Sequence, residues 1–152
     1  MYADETTVAA ARDEHFRDTG FSVAAYGDRW VKLKLGPLPF AFPNSDARRA
    51  AVKLHDLHHI ATGYDTSWRG EAEIAAWELA GGCGRYWVAW MINAGAFGVG
   101  LLISPRRTLR AFARGRRSKT LYHRAFGDDL LAMTVGDLRR DLGLSVLPGR
   151  RH

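Results

Sequence analysis

Only one cysteine, Cys83, occurs in the 152 residues, so no disulfide can form within the chain and a packed core has to hold it together. Internal repeats and low-complexity linkers are absent, which argues against a solenoid or a string of modules. Acidic side chains are missing altogether from Pro105 to Arg124, where seven arginines and one lysine fall, so the net charge of +6 is a local excess. No helix-turn-helix, zinc-finger or RNA-binding motif accompanies that basic run. Met1 to Thr7 are acidic and polar, without the basic and apolar regions of a secretory signal, and the expectation is a cytoplasmic protein. Long apolar runs are scarce too. The one candidate, Tyr86 to Ile103, is eighteen residues with a single strongly polar side chain, Asn93, and barely reaches the length of a bilayer span.

What is present is a chain of ordinary single-domain size with helical periodicity through most of its length. Residues 4–18 read as a helix ending near Gly20. Trp30 to Leu35 alternates apolar and basic residues before Gly36-Pro37, and Phe40-Ala41-Phe42 follows, which predicts a short β-hairpin or extended arm near residues 30–42. Asn44 and Ser45 can cap a helix from Asp46 to Thr62 that Gly63 stops, and Trp68 to Ala80 reads as a returning helix broken by Gly81-Gly82. Ser104-Pro105 opens a basic helix to about Arg117. Ser118 is expected to cap a further helix ending at Gly127, Thr134 a last one from Val135 to Leu142, and Leu144 to His152 forms a mobile tail. The fold class is therefore all-α: one compact helical domain over residues 1–152 with a minor hairpin.

The chemistry concentrates in His55-Asp56-Leu57-His58-His59 and in Glu71. At about 100° per residue, His55 and His59 lie one turn apart with Asp56 in the same arc, while Leu54, Leu57, Ile60 and Ala61 occupy the opposite, core-facing arc. His58 falls outside the polar arc. An antiparallel return of the next helix brings Glu71 back toward the histidines. Glu78, about two turns on, is placed as an extra ligand or as an acceptor behind the ligands. Two imidazoles and carboxylates suit a divalent metal, zinc first, with iron(II) or manganese(II) as alternatives. An isolated HxxxH more often marks two ordinary surface histidines; the added Asp56 and Glu71 favour the metal. Aspartate in the second position, instead of the glutamate of HExxH, is better placed to ligate than to act as general base.

His55, Asp56, His59 and Glu71 form HDxxH, then eleven residues, then Glu, a pattern in which the chain resembles the Coq-four family of ubiquinone biosynthesis proteins. Gly63, Thr66 and Gly70 look similar to that family's loop. The resemblance covers Ala50 to Glu78 and extends weakly into the basic segment, with no match before Asn44. It implies an all-helical, peripherally membrane-associated protein that binds a divalent metal through His55, Asp56, His59 and Glu71. It further implies action on the ring of a prenylated quinone precursor, an oxidative decarboxylation, and association with other enzymes of quinone biosynthesis.

The apolar segment 86–103 leaves three readings: a buried core helix, a membrane span with Trp87 and Trp90 at one end and arginines at the other, or a helix whose small residues leave a groove for an isoprenoid tail. The basic segment, in which Arg106, Arg107, Arg110, Arg114, Arg116, Arg117 and Lys119 interleave with Leu109, Phe112, Leu121 and Tyr122, can lie on an anionic membrane or form a solvated face. Nucleic acid is the less favoured partner. Two functions from different classes follow: a metal-dependent enzyme acting on an isoprenoid lipid or quinone precursor, and a non-catalytic lipid-binding or scaffold protein whose metal staples two helices. A hydrolase of lipid phosphates is a third, weaker reading.

Overall fold

The computed structural model describes residues 1–20, 30–35, 38–43 and 45–144, and among these the chain is all-α with one small hairpin. Helix α1 spans Val8–Thr19, α2 Asp46–Thr62, α3 Trp68–Gly81, α4 Trp87–Ile103, α5 Pro105–Gly115, α6 Asp128–Ala132 and α7 Val135–Asp141. Strands β1 (Trp30–Leu35) and β2 (Leu38–Pro43) pair antiparallel, with Trp30 opposite Pro43 and Leu35 opposite Leu38. Of the mobile tail expected from Leu144 to His152, Leu144 is instead buried in the core with its N–H donating to Arg139 O at 2.9 Å, and residues 145–152 lie outside the described residues.

Local rules account for most helix ends. The side chains of Thr7, Ser45, Ser67 and Thr134 accept hydrogen bonds from Ala10, Arg48, Gly70 and Asp137 N–H groups, satisfying first-turn donors that have no partner within the helix. Gly63 closes α2 at φ 76°, and its N–H donates to the His59 carbonyl. The last carbonyls of α2 are capped from far along the chain: Arg139 Nε donates to Ala61 O at 3.1 Å, and Arg114 Nη1 to Thr62 O at 3.1 Å. Two guanidinium groups thus sit at the negative end of the helix that carries the histidines.

Leu54, Leu57, Ile60 and Ala61 face inward, as their spacing predicts, against Val8 and Ala11 of α1, Trp77 of α3, Leu121, Leu130 of α6 and Leu138 of α7. Each large side chain buried there contributes about 1.5–3 kcal/mol relative to leaving it in water. On the other side of α3 the packing is by close approach. A Cβ added to Gly115 of α5 would lie 2.3 Å from the Trp77 carbonyl oxygen, so only glycine lets the two backbones meet. Arg107 of α5 also grips Glu73 of α3 through two hydrogen bonds of 3.0 and 2.6 Å.

Two expectations are corrected. The segment after Ser118 is not a helix to Gly127. It makes a single 3-10 turn, Leu121–His123, with the Leu121 N–H donating to His58 Nε2 at 2.8 Å, and α6 begins only at Asp128. Helix α4 is neither buried all round nor a span. No helix among the described residues is long and apolar enough to cross a membrane. Its inner face, Ala89, Asn93 and Gly100, is buried, whereas Trp87, Met91 and Leu102 are 65, 61 and 85 % exposed. Of its small residues, Gly100 packs closely, a Cβ there falling 2.7 Å from Ala72 Cβ, whereas Gly95 and Gly98 have nothing within 4 Å of where a Cβ would stand and form no groove against the core. With the core on the far side of α3, nothing among the described residues remains to cover the outer face of α4.

Candidate metal centre

Helix α2 presents His55 and His59 with their rings edge to edge, centroids 4.7 Å apart and planes at 90°. Each ring is held from behind. His59 Nδ1 meets the Tyr64 carbonyl oxygen at 2.9 Å and His55 Nδ1 meets Glu78 Oε1 at 2.8 Å. A carbonyl and an ionised carboxylate only accept, so both Nδ1 atoms carry a hydrogen, and each inward-facing Nε2 is the atom left to take a proton or a metal ion. The two Nε2 atoms are 3.1 Å apart. Lone pairs meet at that distance only with a cation between or beside them, either a proton on one ring or a metal ion shared by both.

Glu71 completes the group. Its Oε2 lies 3.5 Å from His55 Nε2 and its Oε1 3.4 Å from His59 Nε2. A tetrahedral zinc ion with bonds of about 2.0–2.1 Å holds its ligand atoms about 3.3 Å apart. Edges of 3.1, 3.4 and 3.5 Å therefore describe three corners of such a site with the fourth corner open. Among the described residues, His55, His59 and Glu71 are the group whose ligand atoms converge closely enough to hold a metal ion. The site opens on one side: the side chains of His55 and Glu71 are 24 and 39 % exposed, whereas those of His59 and Glu78 are 2 and 0 % exposed.

Glu71 reaches this position because of the turn before it. Asp65 accepts from the Ser67 N–H at 2.9 Å, and the Asp65 carbonyl sits where a Cβ on Gly70 would stand, only 2.0 Å away. Glycine at 70 is thus what lets α3 start tight against the turn, one residue before the ligand. Replacing Gly70 by alanine is expected to displace the turn and lower metal affinity by at least tenfold, read by competition with a chromophoric chelator.

Asp56, the fourth expected ligand, is not part of the converging group. One residue beyond His55 on α2 turns it about 100° away from that ring, and its charge acts on His15 of α1. Glu78 holds the position expected of an acceptor behind a ligand, and it does more. Fully buried, it accepts from His55 Nδ1, from His58 Nδ1 at 2.6 Å, from Asn93 Nδ2 at 2.5 Å and from the Tyr122 hydroxyl at 2.9 Å. His58, outside the polar arc, is therefore a structural residue linking Glu78 to the Leu121 N–H. Asn93 was signalled in the sequence as the lone polar side chain of an apolar helix; Tyr122 and His15 carried no such signal.

The electrostatics follow from the donors. Burial alone would raise both carboxyl groups, but the neighbouring imidazoles hold Glu71 at about 2 and Glu78 well below the usual carboxylate range. Burial would lower His55, yet Glu78 and Glu71 raise it well above an ordinary histidine, whereas burial prevails at His58 and lowers it. Beside this network, burial pushes the Cys83 thiol up to about 11, with Asn93 Nδ2 3.5 Å from its sulfur. Cys83 is 0 % exposed, so its alkylation by iodoacetamide at pH 8 is expected to track unfolding; rapid labelling of native protein would contradict this placement.

Comparison with known protein families, curated proteins and solved structures finds no match to this chain. Two tautomer-locked imidazoles and one carboxylate, set at tetrahedral spacing with an open side, constitute the candidate metal centre.

Proposed function

We propose that this protein binds one divalent metal ion through His55, His59 and Glu71. We propose further that it works at a membrane surface in prenyl-quinone or related isoprenoid-lipid metabolism. The observation that carries the metal is the triangle formed by the two Nε2 atoms and the Glu71 carboxylate, whose ligand atoms converge. Zinc suits this borderline donor set best, with iron(II) or manganese(II) as alternatives. When bound, the ion would polarise an oxygen of the substrate ring or activate an oxygen species at the open corner. The chain's own contribution is orientation: Tyr64 and Glu78 hold the imidazoles, and the turn at Asp65–Gly70 holds Glu71. The substrate class, a prenylated quinone precursor undergoing oxidative decarboxylation of its ring, rests on the motif resemblance, as does partnership with other quinone-biosynthesis enzymes.

The membrane part of the reading is supported by the outer face of α4, with Trp87, Met91 and Leu102 exposed, beside the exposed arginines 106 and 110 of α5. Vesicles of phosphatidylcholine with anionic lipid are expected to cosediment the protein, and neutral vesicles to do so weakly. An Arg106→Glu/Arg110→Glu variant is expected to lose at least tenfold in affinity, since each cation near such a surface contributes about 1 kcal/mol. Equal binding to both vesicle types would remove the electrostatic half of this reading.

The second reading is a scaffold in which the metal joins α2 to α3 without turnover; the burial of Glu78 behind the ligands favours it, because that network has a stabilising role of its own. A folded Glu71→Ala variant that loses turnover supports the enzyme. Partner or lipid binding that survives metal removal, with no turnover found, supports the scaffold. Purified protein containing neither metal nor lipid by elemental analysis and mass spectrometry would overturn the leading function.

A further inference from the structure

His15 of α1 lies outside the HDxxH motif, yet it borders the same centre. Its ring stacks on that of His59, with centroids 5.7 Å apart and planes at 23°, and only 9 % of the residue is exposed. Burial and the neighbouring His59 hold its pKa below the ordinary histidine value, against the opposing carboxylates of Asp56, Asp18 and Glu71. Its contacts among the described residues are ring contacts, with His59 and Phe16, and neither ring nitrogen makes a hydrogen bond there. A neutral imidazole has one donor and one acceptor, and neither His15 nitrogen is sealed from solvent, so both can be reached by a group that enters the site from outside. The His15 nitrogens are not among the converging ligand atoms, so His15 is not a fourth protein ligand. Three protein atoms occupy three corners, and the fourth corner belongs to an exogenous group.

We propose that His15 is the hydrogen-bond partner of the negatively charged oxygen that occupies this fourth corner, a hydroxide or the carboxylate of a substrate. The proposal rests on the metal reading above and adds to it a residue and a ligand class. Stacking against His59 fixes the ring beside the metal centre and leaves a ring N–H available to a bound anion. His15 thereby selects an oxyanion over a neutral ligand.

The test uses the full chain loaded with cobalt(II), whose visible absorption reports coordination, titrated with acetate as the oxyanion probe. His15→Phe, which keeps the stacked ring and removes the nitrogens, is expected to bind cobalt within about threefold of the parent and to melt no lower. Its acetate affinity is expected to fall about tenfold or more, the loss of one hydrogen bond to a charged group. His15→Gln, which restores an N–H, is expected to recover part of that loss. Unchanged acetate affinity in the phenylalanine variant overturns the proposal, leaving His15 a packing residue. A hundredfold loss of cobalt also overturns it, by making His15 a ligand. Should the phenylalanine variant fail to fold, His15→Leu is judged by the same criteria. Parent protein that takes up no cobalt defeats the metal reading and this one with it; parent protein that binds cobalt but never acetate defeats only this one.

Discussion

Replacing Glu78 by alanine is expected to cost about 3–5 kcal/mol, the largest effect of any single substitution at the site. The carboxylate is wholly buried and accepts four hydrogen bonds, from α2 twice, from α4 and from the 3-10 turn after α5. Its removal leaves the Tyr122 hydroxyl and the Asn93 amide without their acceptor, and two histidine N–H groups facing a cavity. A domain of this size is stable by about 5–15 kcal/mol in total, so the melting temperature should fall by about 10–20 °C. Glu78→Gln separates the hydrogen bonds from the charge. Its carbonyl can still accept from both histidines, while its amide meets Asn93 and Tyr122, both of which can reorient to accept. About 1–2 kcal/mol is expected for this variant. Urea unfolding of the metal-free forms decides it. An alanine variant within about 1 kcal/mol of the parent would mean that the network contributes little.

The second large effect is on metal affinity. His55→Ala or His59→Ala is expected to weaken binding by more than a hundredfold, since each removes one of three ligand atoms, and substitution of a group behind a ligand already costs 10–100-fold. Glu71→Ala should be comparable. Asp56→Ala is expected to stay within about threefold of the parent, because Asp56 is outside the converging group. The pattern is therefore three large losses and one small one, measured by competition with a chromophoric chelator at fixed pH. A loss at Asp56 equal to that at His55 would show that the aspartate turns inward when the ion enters. Metal bound at about a hundred times its dissociation constant should also stabilise the parent by about 2.7 kcal/mol, lost on chelation and absent in His59→Ala.

The residues that were legible in the sequence share a property: their roles depend on neighbours a few positions away. The caps Thr134 and Ser45, the stop at Gly63, and the core arc of Leu54, Leu57 and Ile60 follow from helix geometry alone. The pairing of His55 with His59 follows from the same four-residue spacing, and Glu71 from an antiparallel return across a short turn. Asp56 shows where that reasoning ends. Sharing an arc on a helical wheel sets a direction to within about 100°, whereas coordination needs atoms placed to a few tenths of an ångström.

By itself, then, the sequence determined the helices α1 to α5 and α7 and their order, the inward-facing stripe of α2 and the two histidines of its polar arc, because hydrogen bonding and side-chain direction within a helix are short-range. Only the tertiary structure decided that Glu78 gathers His55, His58, Asn93 and Tyr122, that His15 lies against His59, and that α4 shows its apolar face to the outside. Those outcomes depend on which helix faces which across separations of 15 to 44 residues. A periodic pattern specifies the face a helix wants to bury. It does not specify what arrives to cover that face, and among the described residues nothing covers the outer face of α4.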